Sequence, residues 1–213
     1  MNGLNKLPKG DGEYIVFEGG ESCGKSTIWE MLRLEHPDWL FVREPGTTPL
    51  AMEMRKNIFA MERDDITDAY LFATARADLY AQVVIPALKE GKTVVSDRSF
   101  LTSMVYQGYC GSLGFQGVYD VNRIALNGIL PTKAIIFALD YETSQARVRA
   151  RGGNGGEVTY FDRRAAEFYT RAQEGYKALP EFCDDIPFEF IDASKSITEV
   201  YAAVEKIIIE NRG

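Results

Sequence analysis

Residues Gly19-Gly20-Glu21-Ser22-Cys23-Gly24-Lys25-Ser26 set a glycine five residues ahead of a Gly-Lys-Ser triplet, directly behind the apolar run Tyr14-Ile15-Val16-Phe17. A loop of this composition turns its backbone N–H groups inward around a phosphate chain. Gly19 and Gly24 allow backbone angles and close approaches that a Cβ obstructs. Lys25 brings a cation to the β and γ phosphates, and the Ser26 hydroxyl is a ligand for Mg²⁺. A helix following the loop aims its positive N-terminus at the same anion. The rival reading, a glycine-rich surface turn, explains neither the apolar strand before nor the helical pattern after. The spacing implies a nucleoside triphosphate site.

Three further groups of residues bear on chemistry. Asp97-Arg98 closes an apolar run, where a carboxylate near a phosphate loop holds Mg²⁺ or its water shell and a guanidinium grips two phosphate oxygens at once. An Asp–Arg surface pair opening a helix accounts equally well for these two residues taken alone. Phe72 and Arg76 lie four apart and share a helix face, as a nucleobase clamp requires. A core phenylalanine with a snorkelling arginine gives the same pattern. Arg147, Arg149 and Arg151 run into the glycine-rich Gly152–Gly156 segment. At about 100° per residue, Arg147 and Arg151 share one side of a helix and Arg149 takes the other. A cationic flap over transferring phosphates fits this stretch, and so does a solvated basic helix end.

The elements that position these groups alternate. Strands are expected at Glu13–Glu18, Trp39–Val42, Thr93–Ser96, Ala134–Leu139 and Phe188–Ile191. Helices are expected at Lys25–Glu35, Pro49–Ala60, Thr67–Glu90 (kinked at Pro86 and stopped by Gly91), Leu101–Gln107, Val118–Asn127, Glu142–Ala150 and Arg163–Leu179. Ser196 and Glu199 form a capping box that opens a last helix. Strands alternating with helices give a parallel sheet wound on both faces, with ligands at the strands' C-terminal ends. With 213 residues, 46% of them hydrophobic, one domain spanning 1–213 is expected, with residues 1–12 a frayed leader.

A net charge of −7 argues against a broad basic face for nucleic acid, so an anionic substrate must meet arginines gathered in one cleft. Cys23, Cys110 and Cys183 lack metal-ligand spacing and suit a reducing cytoplasm. The single histidine, His36, leaves no histidine-based zinc centre or catalytic triad. No apolar run approaches the roughly 20 residues of a membrane span.

Together these features resemble the thymidylate kinase family over nearly the whole chain, from about Tyr14 to the last helix. The resemblance is carried by Phe17 to Thr27, Arg43-Glu44-Pro45-Gly46, Leu71-Phe72-Ala73 with Arg76, Asp97-Arg98, Tyr106-Gln107-Gly108, Arg147 to Gly152, and Ile191-Asp192-Ala193-Ser194. It implies a P-loop kinase fold, an α/β three-layer sandwich with a five-stranded parallel sheet and a small lid at about 147–160. It implies ATP and dTMP as substrates, Mg²⁺ as cofactor, and a cytoplasmic homodimer with no nucleic-acid or membrane partner.

By the same resemblance, Gly19, Gly20, Glu21, Ser22, Cys23, Gly24, Lys25, Ser26 and Thr27 surround ATP, and Lys25, Ser26 and Asp97 serve its phosphates and Mg²⁺. Glu21 takes the sugar 3′-hydroxyl of dTMP, Phe72 stacks on thymine, and Arg76 bonds its exocyclic oxygen. Arg98, with Arg43 and Arg55, grips the monophosphate. Ser103 and Gln107 sit near the base edge, and Tyr106 crowds the 2′ position. Ser22 stands where some members carry a loop arginine, which makes Arg151, with Arg147 and Arg149 behind it, the transition-state cation of a lid-arginine enzyme.

The sequence departs from the family pattern at Thr47, Ser99, Thr132 and Tyr160-Phe161-Asp162. Two other readings remain: a kinase of another (deoxy)nucleoside monophosphate, and a nucleotide-binding regulator without an acceptor. The second lacks the N-K-x-D motif of guanine switches.

Overall fold

The computed structural model describes residues 12–153 and 166–209, without the side chains of 151–153. Five strands form one parallel sheet: β1 (Tyr14–Gly19), β2 (Leu40–Arg43), β3 (Val94–Asp97), β4 (Lys133–Ala138) and β5 (Phe188–Asp192), in the order β2-β3-β1-β4-β5. The register pairs Phe17 with Asp97 on one side and with Ile135 on the other. All residues of β1 and β3 are buried, which is why their sequences read as unbroken apolar runs interrupted only by functional polar residues.

Alternation along the strands divides the core in two. Tyr14 and Val16 point to one face, where they meet Leu79, Tyr80, Val84, Leu101, Val118 and Tyr176. Ile15 and Phe17 point to the other, against Ile28, Trp29, Leu32, Val200 and Val204. Helices α1 (Lys25–Glu35) and α9 (Ile197–Ile209) therefore cover one face. Helices α3 (Asp65–Leu79), α4 (Ile85–Lys89), α5 (Phe100–Ser103), α6 (Gly114–Asn122) and α8 (Ala166–Phe182) cover the other. The chain leaves β1 toward one layer and β3 toward the opposite layer. The crevice between their C-terminal ends is thus the topological switch point at which such sheets bind ligands.

Local signals fix most boundaries. Thr48 caps α2 (Pro49–Ala60), its hydroxyl accepting from the Ala51 N–H at 3.1 Å, with Pro49 in the first turn. Asp64 caps α3 in the same way at Thr67, so that helix begins ahead of the expected Thr67. At the far end, Gly91 takes φ 75° and closes the helix as expected. The Ser196–Glu199 box is formed, with each residue's side chain accepting from the other's backbone N–H.

Three expected helices need correction. Thr67–Glu90 is not one α-helix: a π turn at Tyr80–Val84 separates α3 from α4. Pro86 has no N–H to give to the preceding turn, and the wider turn, in which the Ile85 N–H donates to the Tyr80 carbonyl, absorbs that loss. Leu101–Gln107 is the short α5 followed by a second π turn, Met104–Tyr109. The expected Val118–Asn127 starts earlier, at Gly114, and stops at Asn122, and the chain then turns left-handed at Asn127 (φ 48°) and Gly128 (φ 81°). Helix α7 (Tyr141–Gly153) includes the expected Glu142–Ala150 and continues through Gly152. The expected helix start at Arg163 and the remainder of the 147–160 lid lie outside the described residues.

Candidate active site

The phosphate loop joins β1 to α1 under two steric constraints. Gly19 has φ 141°, and a Cβ there would meet the Phe137 carbonyl oxygen at 2.7 Å; at Gly20 it would meet the Tyr169 hydroxyl at 2.8 Å. Gly24, at φ 91°, caps α1 without any side-chain hydrogen bond, and the first turn of α1 holds no acidic residue. The helix N-terminus is thus left for an external anion. Lys25 is 5% exposed and folds back, donating to the Gly19 and Gly20 carbonyls at 3.3 Å each and to Cys23 Sγ at 3.6 Å.

Across the crevice, the Ser26 hydroxyl donates to Asp97 Oδ2 at 2.7 Å, and Arg43 Nε lies 3.2 Å from the same oxygen. Burial pushes the Asp97 carboxyl up, but Lys25, Arg98, the Ser26 hydroxyl and Arg43 together outweigh it and hold it below the ordinary range. An ionised carboxylate beside a hydroxyl, both hard oxygen donors, fits Mg²⁺.

Arg98 adopts φ 73°, a left-handed conformation unusual outside glycine, and several bonds enforce it. Its N–H donates to the Phe17 carbonyl at 2.9 Å, and its carbonyl accepts from the Ser96 hydroxyl at 2.6 Å. The guanidinium then reaches the loop: Nη2 donates to Glu21 Oε1 at 2.6 Å, and Nη1 to the Gly19 carbonyl and to Thr102 Oγ1 at 3.2 Å each. Beneath it, Glu18 is fully buried and accepts from the Ser99 and Thr102 hydroxyls at 2.7 and 2.5 Å. Burial raises the Glu18 carboxyl above its usual range despite those donors.

One cavity of about 500 Å³ is lined jointly by the loop residues Glu21 to Thr27 and by Arg43, Arg55, Phe72, Asp97, Arg98, Tyr106, Gln107 and Arg147. Phe72 and Arg98 therefore open on the same space as Lys25. Arg55 donates to the Pro45 carbonyl at 3.1 Å, just past the cis Glu44–Pro45 bond, and its guanidinium lies 4.6 Å from the Phe59 ring centroid. Gln107 Oε1 is buried without a hydrogen-bond partner, facing a cavity its residue lines. Tyr106 sets its hydroxyl 3.5 Å from Glu21 Oε1 and its ring under Arg98.

The joint cavity decides between a lone triphosphate pocket and a two-substrate cleft, and the comparisons agree with it. The family model "Thymidylate kinase" matches residues 17–204. A thymidylate kinase of Symbiobacterium thermophilum is 33% identical over 205 residues, 92% of each chain. One of Anoxybacillus flavithermus is 35% identical over 204 residues, 92% of this chain and 95% of its own. The chain belongs to the thymidylate kinase family. In fold it is also similar to a thymidylate kinase from Ehrlichia chaffeensis, with a TM-score of 0.72 at 21% identity, covering 93% of this chain and 99% of that one.

Against the family expectations, two residues fall elsewhere. Arg76 does not line the cavity: it is 2% exposed, its Nε donates to Glu44 Oε2 at 2.6 Å, and its Nη1 donates to Asn122 Oδ1. It shares Phe72's helix face but lies one turn deeper, where a buried carboxylate captures it. Ser103 is likewise buried and off the cavity wall, because α5 turns it inward. Gly19 and Gly20 shape the loop from behind rather than lining the cavity.

Arg147 reaches the loop from α7, donating to the Ser22 and Ala193 carbonyls at 3.4 and 3.0 Å, whereas Arg149 is exposed. The Arg151 side chain lies outside the described residues. Sequence reasoning named Ala193 only within the family motif and missed Lys195 and Ile197; all three line the cavity just beyond β5. Their signal was position: in this topology the C-terminal end of every strand borders the crevice.

Proposed function

We propose that this chain transfers the γ-phosphoryl group of ATP to dTMP, giving dTDP, with Mg²⁺ on the donor phosphates. The observation that carries the reading is the single cavity shared by the phosphate loop and by a wall of arginines with one aromatic face, in a member of the thymidylate kinase family. Lys25, the loop amides and Ser26 suit the donor, and Asp97 beside Ser26 suits the metal. Bound there, Mg²⁺ neutralises phosphate charge. Arg98, Arg43 and Arg55 suit the acceptor phosphate, Phe72 its base, Gln107 the base edge, and Tyr106 with Glu21 the deoxyribose.

The acceptor phosphate oxygen is an anion at neutral pH, so in-line attack requires no general base. The residues contribute positioning and cancel repulsion between two anions. Arg147, with Arg149 and Arg151 further along α7, supplies cations from the lid side. Seven residues of excess negative charge are compatible with this because the positive groups are gathered at one crevice.

We also take the protein to be a cytoplasmic homodimer. Exposed Leu50, Met61, Ile66 and Tyr70 on and around α2 and α3 offer an apolar contact face, and among the described residues Cys23, Cys110 and Cys183 form no disulfide. Among the described residues, no helix is long and apolar enough to cross a membrane.

The test is ADP release from Mg·ATP with dTMP, dUMP, dGMP and dCMP side by side. The highest kcat/KM is expected with dTMP. ADP release unaffected by any monophosphate defeats the reading, and preference for a purine or cytosine nucleotide defeats its substrate assignment.

A further inference from the structure

We infer that Glu35, His36 and Glu205 form a site for a divalent transition cation of the Zn²⁺ type, joining the C-terminal end of α1 to α9, against the sequence expectation that a lone histidine leaves no such centre. One oxygen from each carboxylate and one ring nitrogen of His36 lie within 4.8 Å of one another. The site is far from phosphoryl transfer. Lys25 opens α1 at the phosphate loop and Glu35 closes it, so about 15 Å of helix separates the two.

Four features favour a cation there. First, His36 Nε2 is buried and has no hydrogen-bond partner, and an imidazole nitrogen left in that state is a lone pair or proton without a use. Second, neither Glu35 nor Glu205 makes a salt bridge to Lys or Arg among the described residues. Third, the site lies at a helix C-terminus, where the unsatisfied carbonyls attract positive charge. Fourth, the ligands are held from outside. The Tyr201 hydroxyl donates to Glu35 Oε2 at 2.6 Å, and the Trp39 ring stacks on His36 at 3.9 Å with an 11° tilt. Outer contacts of this kind are what orient metal ligands.

One imidazole and two carboxylates make a mixed nitrogen–oxygen set with room for water. Such a set suits Zn²⁺ or Co²⁺ over Mg²⁺, which prefers oxygen alone. Bonds of about 2.0–2.2 Å require the ligand atoms to close together, and Glu35, exposed at the helix end, can swing inward. The cation would tie the first helix of the sheet's outer layer to the last, clamping two segments far apart in sequence.

The experiment uses the full chain without a histidine tag, stripped with chelator and titrated calorimetrically with ZnCl₂ in the absence of nucleotide. Binding of one equivalent is expected. The thermal midpoint should rise by roughly 5 °C at a hundredfold excess over the dissociation constant. Co²⁺ in place of Zn²⁺ should give visible d–d absorption. His36→Gln and Glu205→Gln should each weaken binding more than tenfold, and Tyr201→Phe by roughly tenfold. Should His36→Gln fail to fold, Glu205→Gln at the half-buried carboxylate carries the test. Absence of binding, or binding intact in both ligand variants, overturns the inference.

Discussion

Arg76→Met removes the positive member of an ion pair whose side chains are 1% and 3% exposed. Methionine refills the aliphatic volume, so the loss is electrostatic rather than one of packing. Glu44 keeps its place: it follows Arg43 at the end of β2, its backbone N–H donates to the Asp97 carbonyl at 3.0 Å, and it precedes the cis bond to Pro45. Asn122 keeps its orientation too, because its amide donates to the Val118 carbonyl at 2.8 Å. The variant therefore strands a buried carboxylate. Breaking a buried pair from one side costs about 3–5 kcal/mol. In a chain of this size that lowers the thermal midpoint by roughly 6–20 °C.

Glu44 can escape part of that loss by taking a proton. Burial already raises its carboxyl above the ordinary range, and the charge and hydrogen bond of Arg76 are the main forces pulling it back. Without Arg76 it rises further. A carboxyl whose folded-state pKa exceeds its unfolded value loses stability as pH rises through the interval between the two. The penalty is thus full above the raised value and smallest below the ordinary carboxylate range. Urea unfolding followed by circular dichroism at pH 5 and pH 8, variant against parent, measures it. The loss should be larger at pH 8, and Glu44→Gln added to Arg76→Met should recover most of it. A loss under about 1 kcal/mol at pH 8, an equal loss at both pH values, or no recovery in the double variant refutes the reasoning.

Two further outcomes follow from the loop and the lid. Gly20→Ala places a Cβ 2.8 Å from the Tyr169 hydroxyl and 2.9 Å from its Cζ. It should weaken ATP binding, with Tyr169→Ala restoring it and Tyr169→Phe, which keeps Cζ, restoring little; equal ATP affinity by calorimetry in parent and Gly20→Ala counts against this. Arg151→Ala should lower turnover on the order of a thousandfold if that residue acts as arginine fingers do, and near-normal steady-state turnover with unchanged ATP KM removes it from that role.

How much of this was legible depends on the range of the interaction. The sheet could be read because β1, β3 and β4 are buried on both faces and so carry continuous apolar runs. The capping box at Ser196 and the stop at Gly91 could be read because their causes lie within four residues. The two π turns could not. The first goes with Pro86, which reads the same as a kink or as a helix end, and nothing in the local pattern marks the second. Arg76 is the sharpest case. Its spacing from Phe72 is local and correctly gave a shared face, but its partner Glu44 is 32 positions away and Asn122 is 46. No local pattern reports that a carboxylate from a different strand end will reach the guanidinium first.

The same competition explains how a chain of net charge −7 keeps a cationic cleft ready without folding around repulsion. Five cations in the cleft already rest on internal acceptors. Lys25 lies on the Gly19 and Gly20 carbonyls, Arg98 on Glu21, Arg43 on Asp97, Arg55 on the Pro45 carbonyl, and Arg147 on the Ser22 and Ala193 carbonyls. Several of these contacts, at 3.1 to 3.4 Å, sit at the long end of hydrogen-bond geometry, and phosphate oxygens carrying full charge are stronger acceptors than carbonyls. Substrate phosphates can therefore take over donors whose direction is already set, with little reorganisation left for the reaction itself. The one histidine, His36, caps the far end of α1, so proton transfer by imidazole has no part in the cleft. What remains for catalysis is placement of charge, and phosphoryl transfer to an acceptor that is already an anion asks for little else.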